Sequence, residues 1–217
     1  MKGLILKDFI NLKRNFKIFG VLSLLYTLLA ITSKDTGFLS GVITMLFAIL
    51  TLSLYSYDDL AKWDIFALTM PITKEDMVRS KYIMLILLTL LGTAFSSIVS
   101  ISINIVIKKV DFLDPVSNSL IGAFVVIVLY SILLPFIIKF GVEKARLILF
   151  ITMFIPFVIA SIINAIVKEG ISDISGGLVK VFDFISRYYF ILLPLTALAI
   201  LYVSYRISVR IYRRKEF

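Results

Sequence analysis

Charged and neutral positions segregate sharply along this chain. Six stretches contain no Asp, Glu, Lys or Arg: Ile18–Ser33, Thr36–Tyr57, Tyr82–Ile107, Pro115–Ile138, Leu147–Val167 and Tyr188–Tyr205. A helix rises about 1.5 Å per residue, so about 20 apolar residues cross the hydrocarbon of a bilayer. The pattern predicts six spanning helices. The first run is short, and residues before it can extend the helix. The Lys34-Asp35 break is so tight that the first two runs are expected to form a hairpin.

The segments between the runs have patterns of their own. Within residues 4–19, Ile5, Phe9, Leu12, Phe16 and Phe19 recur at spacings of four and three, with Lys7, Asn11 and Arg14 opposite. This predicts an amphipathic helix in segment 1–17, lying in the inner leaflet and preceding the first span. In the loop 58–81, Pro71 disfavours helix at Met70. Thr73-Lys74-Glu75-Asp76 reads as a capping-box start for the helix that enters the third span. A short transverse helix near Trp63–Leu68, a turn and a capped helix are expected there. Gly141 permits a tight helix ending in the next inside loop, 139–146. In the outer loop 168–187, Leu178, Val181, Phe182 and Ile185 sit at helical spacing and predict a short helix at the outer leaflet.

Composition agrees with this reading: 60% of the 217 residues are hydrophobic and 17% charged, with a mean hydropathy of +1.02. The net charge of +9 is a topology signal. With both termini cytoplasmic, 17 of the 23 cations and 8 of the 14 acids fall on the inner side, so that side carries +9 and the outer side zero. This is the positive-inside pattern, and it accounts for the excess without nucleic acid. Leu29-Ala30-Ile31-Thr32-Ser33 lacks a small-x-small pattern, so the first run is read as a span rather than a cleaved signal.

Residue types narrow the chemistry. Cys and His are absent, which removes the main ligands of zinc, copper and iron sites and every triad with a His base. The spans hold no Asp, Glu, Lys or Arg, which argues against an ion-coupled transporter. No Gly-Lys dipeptide occurs, so there is no Walker A phosphate loop. Asp58, Asp59 and Asp64 form the one carboxylate cluster in reach of Mg²⁺, but no phosphate cradle accompanies it, and no metal site is assigned. Gly92, Ser96, Ser100 and Asn104 form a small and polar stripe along the third span. Its commoner meaning is close helix packing; its functional meaning is a translocation wall that Ser161 and Asn164 of the fifth span would face. Pro135, Pro156 and Pro194 fall inside three spans.

Taken together, Leu68-Thr69-Met70-Pro71-Ile72-Thr73, Val78-Arg79-Ser80-Lys81-Tyr82, the stretch Leu134-Pro135 through Lys139–Arg146, and the opening Met1–Asp8 resemble the permease subunits of type 2 ABC exporters. The resemblance implies an all-α integral membrane protein, with residues 1–217 as one permease domain. It implies a coupling helix around Asp59–Leu68 seated on a separate ATPase, so that Asp58, Asp59, Lys62, Trp63, Asp64, Phe66 and Leu68 would carry the coupling. ATP and Mg²⁺ would be bound by that partner, and no cofactor by this chain. A second permease copy or paralogue would complete the path, and Leu178, Val181, Phe182 and Ile185 would form an external gate. The implied setting is a bacterial cytoplasmic membrane, and the implied cargo an amphipathic or toxin peptide. Family members often carry Glu just after the second span, where Asp58 and Asp59 stand here. Two other readings compete: a toxin-immunity or scaffold protein that moves nothing, and a membrane enzyme using Asp58, Asp59 and Asp64.

Overall fold

The computed structural model describes residues 2–33, 36–106, 113–145, 147–148, 151, 161 and 172–215. All regular structure among them is helical: α1 (Lys2–Ser33), α2 (Thr36–Leu60), α3 (Trp63–Ala67), α4 (Lys74–Val106), α5 (Leu113–Phe140) and α6 (Ser172–Arg213). Among the described residues, four segments are long and apolar enough to cross a membrane: Ser40–Leu60, Lys74–Ile105, Leu113–Phe140 and Leu192–Arg213. A shorter apolar stretch, Lys17–Leu29, lies within α1. The fifth run, 147–167, falls almost wholly outside the described residues, as do Pro156 and Asn164.

Local sequence sets the helix ends as expected. Thr73 and Asp76 form the reciprocal cap of α4, with the Thr73 hydroxyl accepting from Asp76 N–H at 3.1 Å and donating to Asp76 Oδ2 at 2.7 Å. The first bond satisfies a backbone donor that the first helical turn leaves open, and the second fixes the Thr73 hydroxyl in place. α5 ends at Gly141, whose φ of 83° suits a residue without Cβ. Between α2 and α3, Lys62 takes the left-handed conformation without glycine's advantage (φ 47°).

α2 is the central helix, packing on α1, α4 and α5, while α6 packs on α5 and α4. The close approaches use small residues. A Cβ on Gly92 would come within 2.9 Å of Phe47 Cβ, and one on Gly122 within 3.1 Å of Gly41 Cα. Hydroxyls join the helices where hydrocarbon offers no water. Tyr82 of α4 bonds both Ser204 and Ser208 of α6 at 2.7 Å, and Ser204 in turn donates to the Ser131 carbonyl of α5.

Two segments differ from expectation. The amphipathic segment and the first apolar run are one uninterrupted helix, α1. Leu4, Asp8 and Leu12, four apart, are buried, while Phe9 remains exposed. The face that packs is set by ion pairs of Lys7 and Asp8 with α2 and α4, not by the aromatic stripe alone. Likewise the residues expected to form a separate outer helix, Leu178, Val181, Phe182 and Ile185, belong to α6, which continues unbroken through Pro194 to Arg213.

Candidate functional site

The ends of the helices that bear most charge meet at one pole of the bundle. Lys7 of α1 reaches Asp58 of α2, Lys74 of α4 reaches the carbonyls of Arg213 and Lys215 at the end of α6, and Val142 N–H donates to Asp59 at 3.4 Å. Glu75 pairs with Arg213 across the same seam. Acids in the first turn of α4 thus face cations in the last turn of α6, the arrangement that antiparallel helix dipoles favour. Both described ends of the chain therefore lie at the pole that carries the loop 58–81.

At the centre of this pole is a closed ring of four charges. Lys7 Nζ lies 3.1 Å from Asp8 and 2.7 Å from Asp58, and Lys81 Nζ lies 3.0 Å from Asp8 and 2.6 Å from Asp58. Each ammonium touches both carboxylates, and the ring is neutral. Asp8 is 1% exposed, and Asp58 and Lys81 are 8% exposed. Buried charges persist only when paired and hydrogen-bonded, and four alternating ones satisfy one another. The ring ties α1, α2 and α4 together. Lys7 also stands 4.3 Å over the Trp63 ring, so α3 rests on one of these cations, and Lys81 stands 5.5 Å over the Tyr55 ring of α2.

α3 divides the residues expected to act together. Ala67 is buried, and Trp63 and Leu68 pack partly buried on the main core with Ile72. Phe66 and Ile65 point outward, each 54% exposed, flanked by exposed Leu60 and Met70. Lys62 is exposed at the turn. Trp63 holds α3 down, with its ring 5.5 Å from that of Phe66, and Phe66 is presented.

Asp58, Asp59 and Asp64 border one small cavity but each is engaged by a different partner. Asp58 is neutralised in the ring, Asp59 meets Val142, and Asp64 approaches Lys215 at 4.0 Å. Burial raises the Asp64 pKa above the ordinary value, while Lys215 and a Tyr212 hydrogen bond pull it down. Among the described residues no group of three acidic side chains is placed to hold a metal ion.

The small and polar stripe of α4 faces inward. Ser96, Ser100 and Asn104 are buried, and Ser96 meets Ser119 of α5 at 3.1 Å and Thr44 of α2 at 3.4 Å. This is the geometry of close helix packing within one chain. Ser161 is exposed, and Asn164 lies outside the described residues. The four positions named for an external gate lie on α6, where the helix is described but their side chains are not.

Sequence reasoning found Asp58 but not its partners. Asp58 and Lys81 each lie one residue beyond an apolar run, so both belong at a membrane boundary. Asp8 and Lys7 gave no comparable signal, because the stripe of α1 placed Lys7 on a solvated face. A family model described as ABC-2 family transporter protein matches residues 3–213. No curated protein and no solved structure matches the chain.

Proposed function

Because the chain belongs to the ABC-2 family of transporter proteins and is thereby the membrane component of an ABC transporter, we propose that it is an exporter permease driven through α3 by a separately encoded ATPase. The observation that carries this reading is the outward pair Ile65 and Phe66 on a short helix anchored to a buried ion ring. Exposed aromatic and aliphatic side chains on a firmly held element suit a protein groove. Movement of α3 would reach α1, α2 and α4 together through Lys7, Asp58 and Lys81, because one ring holds all three helices. ATP and Mg²⁺ belong to the partner, whose closure supplies the work.

The working unit in this proposal has two permeases and two ATPases, in a bacterial cytoplasmic membrane with both termini inside. Inward placement of the charged pole follows from its cations. The proposed cargo is an amphipathic peptide. The apolar groove of ≈310 Å³ between α4, α5 and α6, with Thr89 and Thr93 among aliphatic walls, supports that class.

The test is co-purification of the full-length chain with the ATPase from native membranes, comparing wild type with Ile65→Ala/Phe66→Ala. The double variant is expected to insert and melt like wild type while losing the ATPase and the permease-dependent ATP hydrolysis. Unchanged association would overturn the assignment of α3. ATP-dependent uptake of a labelled amphipathic peptide into inverted vesicles tests direction and cargo. Protection of cells against a toxin peptide without such uptake would favour an immunity role instead.

A further inference from the structure

The last two turns of α6 carry a second feature that the coupling reading does not use. Arg206, Arg210, Arg213 and Arg214 line a cleft of ≈420 Å³ together with Tyr205 and with Glu75 of α4. Arg213 is paired to Glu75. Arg206, Arg210 and Arg214 are exposed and have no acidic partner among the described residues. Three unbalanced guanidiniums around one cleft call for an anion, and the planar fork of Arg matches phosphate oxygens.

The surface leading into this cleft indicates what bears the anion. At 100° per residue, Leu195, Tyr202, Arg206 and Arg213 fall within about 40° of one another on α6, with Leu198 and Arg210 on either flank. Leu195 is 64% exposed and Tyr202 61%. One face therefore runs from open aliphatic surface, through a tyrosine at the boundary, to arginines. That order is the order of a phospholipid: acyl chain, interface, phosphate. A free phosphate would need the arginines but not the aliphatic approach.

We propose that the cleft at the end of α6 is a binding site for the phosphate group of an anionic phospholipid whose acyl chains lie along the Leu195–Tyr202 face. The lipid neutralises the arginine row and so fixes the seam where Arg213 and Glu75 join α6 to α4. This site is independent of α3 and of the ATPase, and it holds whichever membrane side the pole faces.

The full-length chain in neutral detergent is titrated with phosphatidylglycerol, with phosphatidylcholine and with inorganic phosphate, and bound lipid is counted by native mass spectrometry alongside the melting temperature. Phosphatidylglycerol is expected to bind and raise the melting temperature, phosphatidylcholine to do neither, and inorganic phosphate not to displace the lipid. Arg206→Gln/Arg210→Gln is expected to weaken phosphatidylglycerol binding by roughly 30-fold, since each juxtamembrane cation near an anionic surface contributes a factor of about five. Arg206→Lys/Arg210→Lys is expected to retain most of it. Lys13→Gln/Lys17→Gln removes equal charge from exposed positions on α1 and is expected to leave it unchanged. Equal binding of the two lipids by wild type, an undiminished affinity in the Gln pair, or an equal loss in the α1 pair would overturn the site. Displacement by inorganic phosphate would overturn the lipid as its occupant.

Discussion

Asp58 and Asp59 are adjacent in sequence, and the structure predicts that removing their charges has very different costs. Asp58→Asn preserves shape but leaves Lys7 and Lys81 sharing one carboxylate, Asp8, so a neutral buried ring becomes a buried net positive charge. At an effective dielectric of 20, each lost contact near 2.7 Å is worth about 6 kcal/mol of Coulomb attraction. Relief of the carboxylate's desolvation offsets much of it, and removal of one partner of a buried pair costs about 3–5 kcal/mol net. Asp59→Asn keeps an oxygen that can accept from Val142 N–H, loses only the charge of one longer bond at an exposed site, and should cost under about 1 kcal/mol. The assay is reversible unfolding of the purified chain in mixed micelles. Asp58→Asn/Lys81→Gln restores neutrality with Lys7 and Asp8 still paired, so the double variant should be more stable than the sum of its single changes by about 2 kcal/mol. Strict additivity, or equal effects of Asp58→Asn and Asp59→Asn, would refute the ring as a coupled buried unit.

Other outcomes follow from single contacts. Gly122→Ala places a methyl 3.1 Å from Gly41 Cα, backbone that cannot rotate away, and is expected to destabilise by about 1–3 kcal/mol in the same unfolding assay. Gly92→Ala meets Phe47 Cβ at 2.9 Å and should behave similarly; two neutral results would mean that these helices are free to part. Tyr82→Phe removes the hydroxyl that joins Ser204 and Ser208. It should lower stability by about 1–3 kcal/mol through the serines left without it, read as a melting shift that Tyr205→Phe does not reproduce. Burial raises the Asp64 pKa in the folded chain, so the native state takes up a proton at a pH where the unfolded chain does not. Stability owed to Asp64 therefore grows as pH falls through the raised value towards the ordinary carboxylate range. The melting temperature of wild type minus that of Asp64→Asn should rise as pH is lowered over that interval; a difference that stays flat or falls would contradict it.

Much of the architecture is legible in the sequence, for reasons of solvent and geometry. Hydrocarbon excludes unpaired charge, so charge-free runs mark α2, α4, α5 and the membrane part of α6 without any knowledge of contacts. Caps and turns are equally local: Thr73 with Asp76, and Gly141 with its positive φ, depend on neighbours a few residues away. The family was also accessible, because the turn at Met70-Pro71 and the entry at Lys81-Tyr82 are short sequence patterns.

Pairing between distant segments was not accessible. An amphipathic stripe says that a helix has an apolar face, but lipid and protein can both cover such a face, and only packing decided that Leu4, Asp8 and Leu12 of α1 are the covered positions. The breaks expected near residue 17 and before residue 188 do not occur, because one helix can continue from interface to hydrocarbon when nothing in its backbone ends it. Trp63 and Phe66 share a five-residue helix and similar hydrophobicity, yet Trp63 lies beneath Lys7 while Phe66 is presented outward. The ion ring is the clearest case. Its members come from residues 7, 8, 58 and 81, and sequence places Asp58 and Lys81 only at the boundary of the membrane. Four charges become one neutral buried unit when three helices bring their ammonium and carboxylate groups to within 3.1 Å of one another, and a property of that convergence has no signature in any one segment.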